Sequence, residues 1–203
     1  MKRRLFMALA PATLAACGAL PEKPVRPALY DFGPPPAPGS GAAGPALVLA
    51  DVEADGALDT RALLYRLGYD DAYQLRAYAY ARWSAPPPQL LRERLGVLLG
   101  RERTVLDEAA AASLVRRGVD RPALLRVRLE EFSQVFDAPA DSRGLLRLRC
   151  TLVEAAAGGR QVVQRGFQAE RPAPSADAAG GVRALTAAVD AVAGDITQWL
   201  REH

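Results

Sequence analysis

The chain has 203 residues, 50% of them hydrophobic and 6% aromatic, with a formal charge of +3. Lys2, Arg3 and Arg4 carry all of that excess, so the rest of the chain balances its 23 acidic residues with as many basic ones. A neutral body has no electrostatic case for nucleic acid, where Lys and Arg must replace a counterion atmosphere, or for a polybasic membrane surface.

Met1-Lys2-Arg3-Arg4, the apolar run from Leu5 to Ala16 and the small residues Ala15-Ala16 before Cys17 have the parts of a secretory signal. The run is far shorter than the roughly 20 residues a spanning helix needs. A cysteine directly after such a site resembles the bacterial lipobox. The resemblance implies that the Cys17 thiol is diacylated, residues 1–16 are removed and the new amine is acylated, with palmitate among the chains expected. Attachment then comes from lipid, where each buried methylene contributes about 0.8 kcal/mol and two or three chains together hold stably. An ordinary secretory signal with a chance cysteine, or an uncleaved anchor, is the competing reading.

Residues 17–45 are rich in Pro, Gly and Ala and read as a lipidated cysteine followed by a flexible tether. Leu29-Tyr30-Asp31-Phe32 interrupts it, and two aromatics there predict that this piece docks as a short edge strand. Residues 46–203 form one globular domain. Ala46 to Glu53 predicts a strand, Leu63 to Arg66 a second, and Tyr73 to Trp83 a longer one. In the last, Leu75, Ala77, Ala79, Ala81 and Trp83 share one face, while Arg76, Tyr78 and Tyr80 share the other. Pro86-Pro87-Pro88 stops that strand and pre-sets a helix, whose stripe is Leu91, Leu95 and Leu98 and whose stop is Gly100.

Leu125, Val127 and Leu129 alternate with Arg126, Arg128 and Glu130, and that strand runs on to Phe136. Leu145 to Glu154 returns as its partner, and Gln161 to Glu170 adds another strand after Gly158-Gly159. Val182, Leu185, Val189, Val192, Ile196 and Trp199 then mark one face of a terminal helix. The order gives an α+β fold, a single largely antiparallel sheet with two main helices packed on one face.

Chemistry is sparse. The single histidine is His203, the last residue, a poor base for a triad whose geometry must be tightly fixed. No Cys/His cluster has metal-ligand spacing, and no Gly-rich stretch has the Lys and context of a phosphate loop. Cofactors are therefore expected to be none, and metal ligands none. Asp70-Asp71 and Glu130-Glu131 are neighbours that point to opposite faces of an extended segment. Cys150 alternates with Leu146, Leu148 and Leu152 and reads as a buried structural thiol. With Cys17 acylated it has no partner for a disulfide. The chain is read as binding or holding something, with no catalytic residues.

Several segments, in order, carry a resemblance: the lipobox at Cys17, Tyr30-Asp31-Phe32, Leu64-Tyr65-Arg66, and Tyr80-Ala81-Arg82-Trp83-Ser84-Ala85-Pro86-Pro87. Leu129-Glu130-Glu131-Phe132-Ser133-Gln134-Val135-Phe136 and the terminal Ile196-Thr197-Gln198-Trp199-Leu200 complete the set. The sequence resembles the ABC-type transport auxiliary lipoprotein family, the PqiC-like or YmbA-like lipoproteins. That resemblance implies a non-enzymatic accessory of an MCE-type phospholipid transport system. Its implied partners are a periplasmic MCE-domain protein and the associated ABC permease and ATPase. Gly18 follows the lipidated cysteine without the Asp that resembles an inner-membrane retention signal, so the implied location is the outer membrane with the domain in the periplasm.

Tyr78, Tyr80 and Trp83 are the candidate partner-binding residues, since aromatics dominate binding hot spots. Core packing is the competing reading for all three, and the preferred one for Trp83 and Trp199. Arg126, Arg128, Arg147 and Arg149 read as a solvated face balanced by Glu130 and Glu154, against a site for an acidic protein or a phosphate headgroup. A regulatory envelope lipoprotein that binds a cell-wall synthase is the alternative function, and a carboxylate hydrolase a third.

Overall fold

A computed structural model describes residues 25–35, 37, 44–156 and 158–203. Cys17 and the leader lie outside the described residues. The spine is β7 (Ala123–Ala138), and β8 (Asp141–Ala156) runs antiparallel along its whole length. β9 (Gly159–Pro172) continues the meander on the far side of β8. Alternation of apolar and charged residues along β7 and β8 fixes this register, because a one-residue slip would turn every leucine outward.

The other edge of β7 is filled in file by three short strands, each parallel to it. β2 (Gly44–Leu49) pairs over Ala123 to Leu125, β3 (Glu53–Ala54) over Arg128 and Leu129, and β4 (Ala62–Leu67) over Gln134 to Phe136. β5 (Asp71–Trp83) returns antiparallel to β4, and β1 (Ala28–Tyr30) adds parallel to β5. β6 (Arg103–Leu106) adds parallel to β2. Among the described residues this makes one nine-stranded sheet.

The α+β class holds. The sheet is mixed rather than largely antiparallel, because β2, β3 and β4 advance along β7 in one direction without reversing. The edge strand expected at Leu29 to Phe32 is present as β1.

Three helices accompany the sheet among the described residues: α1 (Pro87–Leu99), α2 (Glu108–Arg116) and α3 (Ala178–Leu200). Pro87 and Pro88 start α1, and Leu91, Leu95 and Leu99 are fully buried on its inner face. Asp177 caps α3 by accepting from Gly180 N at 2.7 Å. That backbone bond, with the Ser175 hydroxyl, holds the Asp177 carboxyl below its ordinary range. All six stripe residues from Val182 to Trp199 are buried against β7, β8 and β9.

α1 and α3 touch and cover the same face. The short α2, capped by Asp107 through Ala110 N at 2.6 Å, lies on the opposite face. Leu47, Leu49 and Leu125 belong to the main core, whereas Val48 and its neighbour Leu124 point the other way, beneath Ala111.

Glycines let α3 ride directly on the sheet. A Cβ on Gly144 would stand 2.6 Å from Leu185 N and 2.8 Å from the Ala184 carbonyl carbon. One on Gly181 would stand 2.1 Å from Gln134 Oε1. Gly144→Ala is expected to cost about 1–3 kcal/mol by overpacking against helix backbone that has no room to shift. Gly166→Ala, whose Cβ would meet only Leu148 O at 4.0 Å, is expected to change stability by less than about 0.5 kcal/mol. Urea denaturation of the two variants checks the difference.

Candidate docking face and N-terminal strap

The N-terminal segment is stitched to the domain at several points. β1 pairs with the end of β5, and Ser84 N donates to Tyr30 O at 2.7 Å. Asp31 Oδ1 accepts from Gly33 N at 2.8 Å, closing a turn in which Gly33 takes φ +69. That turn drives Phe32 inward, where its ring meets Trp83 at 5.5 Å and Phe132 at 6.0 Å. Trp83 and Phe132 complete the triangle at 5.5 Å. Beyond it, Arg94 Nη1 donates to Pro34 O at 3.2 Å, and Arg101 donates to Ala37 O from both Nε and Nη2. Arg94 also holds Asp190 of α3 with two bonds of 2.8 Å, so one guanidinium ties α1, α3 and the strap together. Residues 18–27 alone therefore separate Cys17 from the sheet, a reach of at most about 35 Å.

The three aromatic candidates are not brought together. Trp83 is 1% exposed and sits in the core triangle. Tyr78 is half-buried, its ring 4.7 Å from Tyr65. Its hydroxyl donates to Gln134 Oε1 at 2.9 Å, and Gln134 Nε2 donates to Ser142 Oγ at 2.8 Å. Burial first, then Tyr65 and Asp177, push the Tyr78 phenol well above its ordinary range, so it stays a neutral donor. Tyr80 is 66% exposed.

A register shift in β5 produces this split. Between the pairs Ala62–Arg82 and Leu64–Ala77, β4 advances two residues while β5 advances five. Tyr78 and Trp83 thereby turn to the same helix-covered face despite opposite parity. Tyr73 and Tyr69, 96% and 48% exposed at the β4–β5 hairpin, join Tyr80 as surface aromatics. The sequence signal for them is a pair of tyrosines bracketing the Asp70-Asp71 turn.

On the outer face, Arg149 Nε donates to Glu130 at 2.6 Å, and Arg147 lies 4.0 Å from the same carboxylate. Arg128 is met by Asp55 at 2.7 Å and Glu53 at 3.9 Å. Glu130 thus balances this face as expected, while Glu154 instead faces His203 at 3.3 Å across the end of α3. Glu130 and Glu131 do not point to opposite faces as expected of neighbours, because the bulge between Leu129 and Glu131 puts both on the outer face; Glu131 is held by Arg66 at 3.3 Å, so the two carboxylates answer to different guanidiniums. Cys150 is buried, and burial pushes its thiol up to about 12, far from a nucleophile's range. Among the described residues no group of three or more His, Cys, Asp or Glu side chains is placed to hold a metal ion, and no helix is long and apolar enough to cross a membrane.

Residues 29–197 match the family described as the ABC-type transport auxiliary lipoprotein component. The crystal structure of protein XCC0632 from Xanthomonas campestris, of the family DUF330, is similar with a TM-score of 0.64 at 18% identity, covering 85% of this chain and 94% of that one. A second crystal structure, of an uncharacterized protein, has a TM-score of 0.64 at 15% identity and covers 86% and 99%. The hypothetical protein CT253 from Chlamydia trachomatis follows at 0.50 and 10% identity, covering 81% and 96%. No curated protein matches the chain significantly. Solved relatives this distant speak for the fold alone, but the family match spans most of the chain: it belongs to the ABC-type transport auxiliary lipoprotein family.

Proposed function

We propose that this protein is a non-enzymatic accessory lipoprotein of an MCE-type intermembrane phospholipid transport system. Acyl chains on Cys17 hold it to the outer membrane, and the periplasmic domain docks the MCE component, which works with an ABC permease and ATPase. The observation that carries the reading is the strap: the family match begins at residue 29, where β1 and Phe32 lock the chain into the sheet. A tether of residues 18–27 then keeps the domain beside the bilayer while leaving the outer face of the sheet beyond α2 accessible. Tyr80, with Tyr73 and Tyr69, offers the exposed aromatic surface for that docking. Tyr78 and Trp83 support it from beneath.

Cys150 serves as an internal reference for the anchor. Native protein purified from membranes is expected to show no thiol reactive toward a disulfide reagent. After unfolding it shows one thiol if Cys17 is acylated and two if it is not. Intact mass and membrane fractionation of Cys17→Ser provide the matching readouts, and an unmodified Cys17 in the native protein removes the anchor from the account.

Tyr80→Ser combined with Tyr73→Ser is expected to lower capture of the co-encoded MCE protein by roughly tenfold or more, the scale of an aromatic hot spot. The melting temperature should stay unchanged. Tyr78→Phe, by contrast, is expected to cost about 1 kcal/mol of stability through loss of the Gln134 bond. Undiminished capture by the double variant overturns the docking assignment.

A further inference from the structure

The outer face of the sheet carries one apolar row in an otherwise charged surface. Val48 opposes Leu124, Leu124 opposes Val153 and Val153 opposes Val162, crossing β2, β7, β8 and β9 at the same level. Helix α2 roofs the first half of the row with Ala111 and Val115, leaving a cavity of about 200 Å³. The other half runs out into solvent and ends at Val162, 64% exposed. Four strands at about 4.8 Å spacing make the row about 15 Å long. On one side the next level along the strands is polar, Arg126, Thr151 and Gln164; on the other it is Pro122, Ala155 and Arg160.

Arginines surround this slot. Arg121 and Arg160 line its mouth beside a single acid, Glu108, and Arg126 stands one level along β7 from Leu124. Elsewhere on the same face Arg128, Arg147 and Arg149 are each met by Glu or Asp. Arg121, Arg126 and Arg160 make no ion pair among the described residues; Arg160 donates only to the Val153 carbonyl, at 3.1 Å. Along β7, β8 and β9 the arginines without an ion pair among the described residues are Arg126, Arg160 and Arg171, and the first two stand beside this slot with Arg121. That combination matches an anionic head with an apolar tail.

We propose that the slot binds one acyl chain of an anionic lipid, with the chain along Val48, Leu124, Val153 and Val162 and the phosphate on Arg121, Arg126 and Arg160. Shape favours a chain over a protein partner. A specific protein interface buries about 800 Å² per partner, and a strip about 15 Å long whose first half is already roofed by α2 does not supply that. The inference needs no acylation of Cys17, so it stands or falls apart from the anchor.

The test uses the full chain from residue 17 with Cys17→Ser, titrated calorimetrically with dodecyl phosphate below its micelle concentration. Saturable one-to-one binding is expected. Inorganic phosphate alone should give no heat, and the uncharged dodecyl maltoside should bind roughly tenfold or more weakly. Arg121→Gln with Arg160→Gln should weaken dodecyl phosphate by roughly tenfold or more, and Ala111→Phe should block the slot. Arg147→Gln should change nothing. Absence of saturable binding, or binding that both the arginine pair and Ala111→Phe leave intact, overturns the proposal. So does tighter binding of a decapeptide of alternating Leu and Asp, which marks a protein ligand instead, or saturation by inorganic phosphate alone, which marks a headgroup site without a chain.

Discussion

Backbone hydrogen bonding along β7 governs how this chain folds. A strand of 16 residues in the middle of a sheet presents donors and acceptors on both edges, and nearly all such groups must be met once buried. The β7–β8 hairpin satisfies one edge with a local partner. The other edge is supplied by β2, β3 and β4, which come from much earlier in the chain and meet it in file. Because they all run the same way as β7, parallel pairing enters a fold that otherwise builds by hairpins. The arrangement also places the β4–β5–β1 wing at one end of β7 and β2 with β6 at the other. The two ends of the sheet are therefore free to do different things.

Irregularities in register decide which side chains each end offers. The bulge in β7 between Leu129 and Glu131 returns Phe132 and Gln134 to the helix-covered face on even-numbered positions, after Leu125, Val127 and Leu129 held it on odd ones. The shift in β5 does the same for Trp83 relative to Tyr78. Phe132 and Trp83 can then close on Phe32, and Gln134 can reach Tyr78, Ser142 and the close-packed first turn of α3. Remove either irregularity and the aromatic triangle loses a member, the strap loses its anchor residue, and β1 becomes a three-residue edge with little to hold it.

Much of this was legible in sequence where the signal is local and periodic. The α3 stripe, the β7 and β8 alternation, the proline start of α1, buried Cys150 and the docking of Leu29 to Phe32 all rest on residues close in the chain. Parallel pairing was not legible, since nothing in Leu47 to Leu49 says that its partner lies near Leu125. Arg103 to Leu106 is too short for β6 to stand out, and Glu108 to Arg116 is rich in alanine with only Leu114 and Val115 as large apolar residues, so α2 shows no stripe; α2 buries only Ala111. Strict alternation grouped Tyr78 with Tyr80 and apart from Trp83, and a shift that no composition rule announces regrouped them. Of the three aromatic candidates Tyr80 is the one that reaches the surface, and strict alternation could not separate it from Tyr78.

The same electrostatic contrast that marks the slot also bears on how the molecule stands at a membrane. Most exposed ion pairs here contribute little to stability, being screened and entropically costly. What they do is neutralise Arg128, Arg147 and Arg149 on the outer face, while Arg121, Arg126 and Arg160 beside the slot have no acid partner among the described residues. The strap enters beside the wing that meets β7 over Gln134 to Phe136, whereas the slot crosses β7 at Leu124. At about 3.3 Å per residue Phe132, where the strap's Phe32 packs, and Leu124 lie about 26 Å apart along the strand, within the reach of residues 18–27. Acyl chains on Cys17 would then allow the cationic end either to rest on the bilayer or to stand off from it by the length of the strand, because the tether is at least as long as that separation.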